Sequence, residues 1–244
     1  GAGIIEVVAR LRHRAGAGEL LRRAGFHVIP MPLDTPPFDP AGLPEEDVDL
    51  IFLGSFVSDS PAYVTYMAQY GPMLADFINR GGVIVQMAQR DSLENRPAFL
   101  PAAQDVARGI QNFTSARVLN ANSPIMANVP VVGTPDSVVY TQPNADPNLV
   151  FNAFESFAGF NVILSADAAA RSPALMEGSY GQGRFFLAAM SFDKIIDATT
   201  ETEVAPGSLQ AFNAPFFANL YGHCKNVRDG TLDDLIVTPP PGES

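Results

Sequence analysis

The sequence predicts an α/β fold: a doubly wound, mostly parallel sheet flanked by helices, with an antiparallel C-terminal hairpin. Three observations carry this expectation. Short β-branched or apolar runs at residues 4–9, 26–31, 48–53 and 83–88 alternate with stretches of helical period. Two of those runs, VDLIFL and VIVQMA, are apolar nearly throughout, as strands covered on both faces should be. Between residues 174 and 190, two strand-like runs are separated by Ser179-Tyr180-Gly181-Gln182, a turn short enough for a hairpin.

Each element has its own local reason. IIEVVA at residues 4–9 reads as the first strand. AGELLRRA at 17–24 places Leu20, Leu21 and Ala24 on one helical face, and Gly25 is a C-terminal stop. FHVIPM at 26–31 reads as a second strand, which Pro30 confines to an edge or to its own end. Residues 34–46 hold Pro36, Pro37, Pro40 and Pro44 and read as a loop. VDLIFL follows, with Gly54-Ser55 at its C-terminal end. Pro72 suits the first turn of the next helix, whose apolar face is Met73, Leu74, Phe77 and Ile78 and whose end is Gly81-Gly82. Residues 83–88 form a strand, and 97–108 offer a further, weaker helix. Residues 112–158 are rich in Asn, Pro and Ser and read as loops with short strands near 117–119 and 137–140. Residues 161–165, 174–177 and 183–190 read as strands. Asn213 is placed to cap a last helix, with Pro215 in its first turn and Phe216, Phe217, Leu220 and Tyr221 on its apolar face. Residues 1–237 read as one domain and 238–244 (TPPPGES) as a mobile tail.

Composition narrows the function classes. The chain has 244 residues, 47% hydrophobic and 17% charged, which excludes a disordered chain. Its single cysteine, Cys224, excludes an internal disulfide and a thiolate zinc site. No apolar run approaches the roughly 20 residues of a membrane span. The net charge of -11 repels phosphate backbones, so nucleic acid is not an expected partner. No secretion signal is visible at the start, which favours a cytoplasmic location. No metal or cofactor is expected, because the three histidines, His13, His27 and His223, fall on separate elements. His13 either faces the ligand-binding edge of the sheet or lies in a solvated loop. His223, near a helix end, serves the helix dipole or an interface. Arg10-Leu11-Arg12-His13-Arg14 is either a grip for a carboxylate or phosphate, or a charged loop. Gly16-Ala17-Gly18 lacks the spacing of a nucleotide-binding loop.

The candidate site lies at the strand tips, which converge in a doubly wound sheet. Ser55 and Asp59 (with Gly54 and Ser58) follow one central strand, Gln89, Arg90 and Asp91 the next, and Ser191 and Asp193 the late strand. Asp91 and Asp193 each lie three residues beyond a strand's last apolar residue and are expected to face a common depression. These groups either bind a small polar or sugar ligand or satisfy one another. A general acid/base pair drawn from Asp91, Glu94 and Asp193 is the lesser alternative, because glycosidase chemistry needs two carboxylates at a set separation.

Three stretches resemble one family. The strand–helix–strand from Asp49 to Ala88, with its Gly81-Gly82 stop, is the first. Asn122-Ser123-Pro124-Ile125 is similar to an "HPI" segment, and Glu177-Gly178-Ser179-Tyr180-Gly181-Gln182-Gly183-Arg184 to a "yGkGRv" hairpin. Phe217-Ala218-Asn219-Leu220 resembles the helix that follows. In this order they resemble the class I glutamine-amidotransferase-like superfamily, and most of all its trehalose-utilisation (ThuA-like) branch. The resemblance implies a flavodoxin-like sheet. It also implies a nucleophilic cysteine in a sharp turn after residues 83–87, assisted by a histidine and a carboxylate. This chain has Ala88 at that turn. ThuA-like proteins carry a histidine there and a "GHD" segment after the late strand, where this chain reads Ser191-Phe192-Asp193, so only the aspartate matches.

The sequence therefore points away from an active glutaminase. It favours a non-catalytic binding or assembly module, related to carbohydrate through the family resemblance, with homo-oligomerisation open to its many phenylalanines. The alternative is a ThuA-like enzyme acting on sugars with an altered site.

Overall fold

The computed structural model describes residues 3–7, 16–31, 48–88, 96–139, 151–194 and 208–242. Its first half follows the predicted alternation. β1 (Gly3–Val7) leads through α1 (Ala17–Arg23) to β2 (His27–Met31). β3 (Val48–Leu53) leads through α2 (Pro61–Asn79) to β4 (Val83–Gln86). Gly25 adopts φ 110, the left-handed conformation that stops α1.

The middle of the chain supplies further strands: β5 (Asp105–Phe113), β6 (Ser115–Val118), β7 (Ser137–Val139), β8 (Phe151–Ala158) and β9 (Asn161–Ser165). β10 (Pro173–Tyr180) and β11 (Gly183–Ala188) form the expected hairpin within the main sheet, and α3 (Ser208–Asp229) follows. The nine-stranded sheet has the order β2-β1-β3-β4-β11-β10-β9-β6-β7, and β5 pairs with β8 in a separate ribbon. β2 stands at the edge, where Pro30 costs no ladder bond.

The mostly parallel expectation is corrected. Among the described residues, the strands from β2 to β11 are joined by four parallel pairings, while the rest of the main sheet and the ribbon add five antiparallel ones. The cause lies in the Asn- and Pro-rich middle. Its described residues, 96–139 and 151–158, form no crossover helix, and strands joined without one return antiparallel.

Other elements also differ from expectation. α2 starts at Pro61, because Ser60 takes the extended conformation (φ -88, ψ 131) that a residue before proline prefers; Pro72 lies inside the helix. Residues 97–108 form no helix, and β5 begins at Asp105. α3 starts at Ser208, so Asn213 and Pro215 are interior and Asn213 is no cap. The tail expected to be mobile from residue 238 is held at its first residue: the Thr238 N–H donates to the Phe160 carbonyl at 2.8 Å, and its Oγ1 accepts from the Val162 N–H at 2.9 Å.

Helices cover both faces. Phe52 meets Phe217 of α3 (5.5 Å between ring centroids), and Phe186 meets His223 (5.2 Å). Gln86 and Phe185 point the other way, to Tyr63 of α2 and to Phe99 respectively. The register agrees, since Phe52, Val85 and Phe186 lie side by side across three strands. One continuous apolar core fills both interfaces.

Candidate functional site

β3, β4 and β11 are neighbours and end level with one another, Leu53, Gln86 and Leu187 being in register. Three connections therefore emerge together at the centre of the parallel half. After β3, Gly54-Ser55-Phe56 enters a 3-10 turn (Val57–Asp59) and then α2. After β4 comes Met87-Ala88, and after β11 comes Ser191-Phe192-Asp193.

Two residues here hold left-handed backbone without being glycine: Phe56 (φ 65) and Ala88 (φ 35). A β-carbon at positive φ costs of order 1–2 kcal/mol, so the surroundings must enforce the conformation. Ala88 is the last described residue after β4, and its side chain is a methyl group.

Asp193 is fully buried. Its carboxylate accepts the Ser55 backbone N–H at 2.8 Å and the Ser55 hydroxyl. β4 lies between the strands that carry these residues, so the bond spans the end of β4 where Ala88 sits. Desolvation pushes the Asp193 carboxyl above the ordinary range; the two bonds from Ser55 pull against it. Phe192 stands where the family motif has histidine. It stacks on Phe212 at 4.1 Å between centroids and also meets Phe216, which seals the same tip with apolar rings.

Of the predicted site residues, Ser55 and Asp193 are brought into direct contact. Ser191 is buried two residues before Asp193, and its carbonyl accepts the Lys194 N–H at 3.2 Å. Asp59 is exposed in the turn after β3. Gln89, Arg90 and Asp91 lie outside the described residues, as do Glu94, His13 and the arginine cluster. Asp193 does not stand at an open rim as expected. Its carboxylate is fully buried and takes the Ser55 backbone N–H and hydroxyl.

Of three buried polar side chains near these tips, sequence reasoning placed Ser58 at the site and missed Gln86 and Asn213. Gln86 accepts the Tyr63 hydroxyl at 2.9 Å through Oε1, but its Nε2 is buried without a partner. The Ser58 hydroxyl, and both the nitrogen and the oxygen of the Asn213 amide, are likewise buried and unpartnered. Of the two missed, only Gln86 gave a signal, as the one polar residue within VIVQMA.

The remaining candidate groups lie elsewhere. His27 is exposed on the edge strand β2. His223 is buried, and its Nε2 faces Glu177 Oε1 of β10 at 2.7 Å; this corrects its expected role at the helix end or an interface. Inward-facing sequence neighbours gave no hint of that pairing. Cys224 is buried in α3, and desolvation raises its thiol far above the usual range. Among the described residues, no group of three or more His, Cys, Asp or Glu side chains is placed to hold a metal ion. No described helix is long and apolar enough to cross a membrane.

No family model and no curated protein sequence matches the chain. Solved structures do. A glutamine amidotransferase from Thermotoga maritima aligns with 92% of this chain and 98% of its own, with TM-score 0.58 and 9% identity. A chain of PurLQS from the same organism aligns over 91% and 99%, with TM-score 0.52 and 15% identity. A β-galactosidase from Rahnella sp. R3 matches 92% of this chain over 31% of its own length, with TM-score 0.53 and 15% identity. The chain therefore has a class I glutamine-amidotransferase-like α/β fold.

Proposed function

We propose that this chain is a non-catalytic glutamine-amidotransferase-like module that acts by binding a small polar ligand, and not as a glutaminase. The observation that carries this reading is Ala88 at φ 35. Ala88 is the residue that the resemblance aligns with the nucleophile, and a methyl group cannot attack a carbonyl. Two further facts support it. Phe192, at the position of the expected histidine, is locked in an aromatic stack and can neither take nor give a proton. The only thiol, Cys224, is buried within α3 and disfavoured as thiolate.

The carbohydrate side of this reading rests on the ThuA-like sequence resemblance. An assembly role has separate support: the same fold spans under a third of a β-galactosidase chain, and so occurs as one part of a larger protein. The test is an ammonia-release assay with glutamine on the wild type and on Cys224→Ser. No release above buffer is expected from either. Turnover that is lost in Cys224→Ser, or on substitution at Ala88, overturns the reading.

A further inference from the structure

The strap that follows α3 is neither helix nor strand, yet it is laid down in a regular pattern. From Leu232 to Thr238 every third residue turns toward the protein. Leu232, Leu235 and Thr238 are half-buried, while Asp233, Asp234, Ile236 and Val237 between them are exposed. The hydrogen bonds keep the same step. The carbonyls of Asp233 and Ile236, three residues apart, accept from Arg184 Nη2 at 2.5 Å and from Asn161 Nδ2 at 2.8 Å. Thr238 is fixed to Phe160 and Val162 through its N–H and its Oγ1. Among the described residues, no backbone hydrogen bond joins one member of 232–241 to another.

A strand repeats every two residues and an α-helix about every 3.6. A repeat of three without internal hydrogen bonds is that of the left-handed polyproline II helix. The residues give a reason for it. Pro239, Pro240 and Pro241 each hold φ at about −65° and turn the residue before them away from the α conformation.

Two rows therefore face solvent: Asp233, Ile236 and Pro239 in one, Asp234 and Val237 in the other. Ile236 is 80% exposed and Val237 51%. Each row begins with a carboxylate and continues apolar. Polyproline II helices are recognised by grooves lined with aromatic rings. A second copy of this chain is poorly equipped to supply one. It has no tryptophan, and Tyr180 is the only exposed aromatic side chain among the described residues.

We propose that residues 232–239 are a preformed polyproline II ligand, and that its partner is a different protein with an aromatic-lined groove and a basic side chain opposite Asp233 and Asp234. Preforming strengthens binding. A free segment must be ordered as it docks, whereas this one is already held by four hydrogen bonds, which removes part of that cost. The exposed carboxylates and the net charge of -11 select a cationic rim. The strap shares no residue with the strand-tip site, and neither depends on the other.

The experiment uses the absence of tryptophan from this chain, which leaves the groove tryptophan of a partner as a clean reporter. The full chain is titrated, up to millimolar concentration, into an isolated WW domain, an SH3 domain and an EVH1 domain. A saturable fluorescence change is expected with at least one of them, and it should weaken as salt screens the carboxylates. Ile236→Ser combined with Pro239→Ala changes only exposed side chains. That variant should melt as the wild type does and bind at least tenfold more weakly. No saturable change with any of the three domains overturns the proposal. Unchanged affinity in the double variant also overturns it, because the contact would then lie elsewhere. Self-association of the full chain that the double variant abolishes would assign the strap to a second copy and overturn the choice of partner.

Discussion

Two buried carboxylates lie on the sheet, one in each half, and they are held in opposite ways. Glu177 of β10 has two basic side chains as neighbours: Arg184 Nη1 donates to its Oε1 at 3.1 Å, and His223 Nε2 meets the same oxygen at 2.7 Å. Arg184 also donates to the Asp233 carbonyl at 2.5 Å, and Asn161 to the Ile236 carbonyl at 2.8 Å. Glu177 thus ties together β10, β11, α3 and the C-terminal segment. Asp193, in the parallel half, has only Ser55 as its partner among the described bonds. Around it lie strained turns and unpartnered polar groups. The first region spends most of its polar groups on architecture, although His223 Nδ1 is buried there without a partner. The second leaves polar capacity unused, which is the pattern expected of a site.

The largest expected effect breaks the first region. Glu177→Ala leaves the buried His223 and the half-buried Arg184 without their shared acceptor, and should lower stability by about 3 kcal/mol in urea unfolding. A loss below about 1 kcal/mol would show that the cluster anchors nothing.

A smaller effect tests the second region through pH. Burial raises the Asp193 carboxyl above its unfolded value, so the folded state favours the protonated form. The stability associated with that group is fully present below the unfolded pKa, about 3.9, and is lost as pH rises through the raised folded value. Asp193→Asn is neutral at every pH and keeps an acceptor for the Ser55 N–H. Relative to wild type it should gain stability as pH rises from 4 to 7. A difference that is constant across this range refutes the assignment.

Relief of strain should be smaller again. Ala88→Gly removes the β-carbon from φ 35 but adds freedom to the unfolded chain, so a net gain of about 0–1 kcal/mol in thermal unfolding is expected. A clear loss would mean that the methyl group itself packs the turn. The smallest effect concerns Cys224. Being buried and disfavoured as thiolate, it should not react with a thiol reagent in the folded protein and should react on unfolding. Rapid native labelling would place it nearer the surface than α3 allows.

Much of the main sheet was legible in sequence because its signals are local. VDLIFL coincides with β3 and residues 161–165 with β9, since apolar runs bounded by turn residues mark buried strands. The hairpin was legible from its turn, where Gly181 takes φ 57. The ribbon of β5 and β8 was not. Residues 114–150 separate its strands in the chain, and β5 has no clean alternation of buried and exposed residues. The start of α3 was missed because Asn213 and Pro215 imitate a helix beginning, a signal that interior packing overrides.

At the candidate site, the sequence by itself determined which chemistry is missing: Ala88 in the turn, Phe192 beside Asp193, and one cysteine far from both. Those are facts of residue identity, and no fold can alter them. Only the tertiary structure decided that Ser55 and Asp193, 138 residues apart, share hydrogen bonds across the end of β4, and that Asn213 is buried without a partner. The physical reason is range. Strand and helix signals are written within a few neighbouring residues, whereas the satisfaction of a buried polar group depends on whatever the folded chain brings within about 3 Å of it.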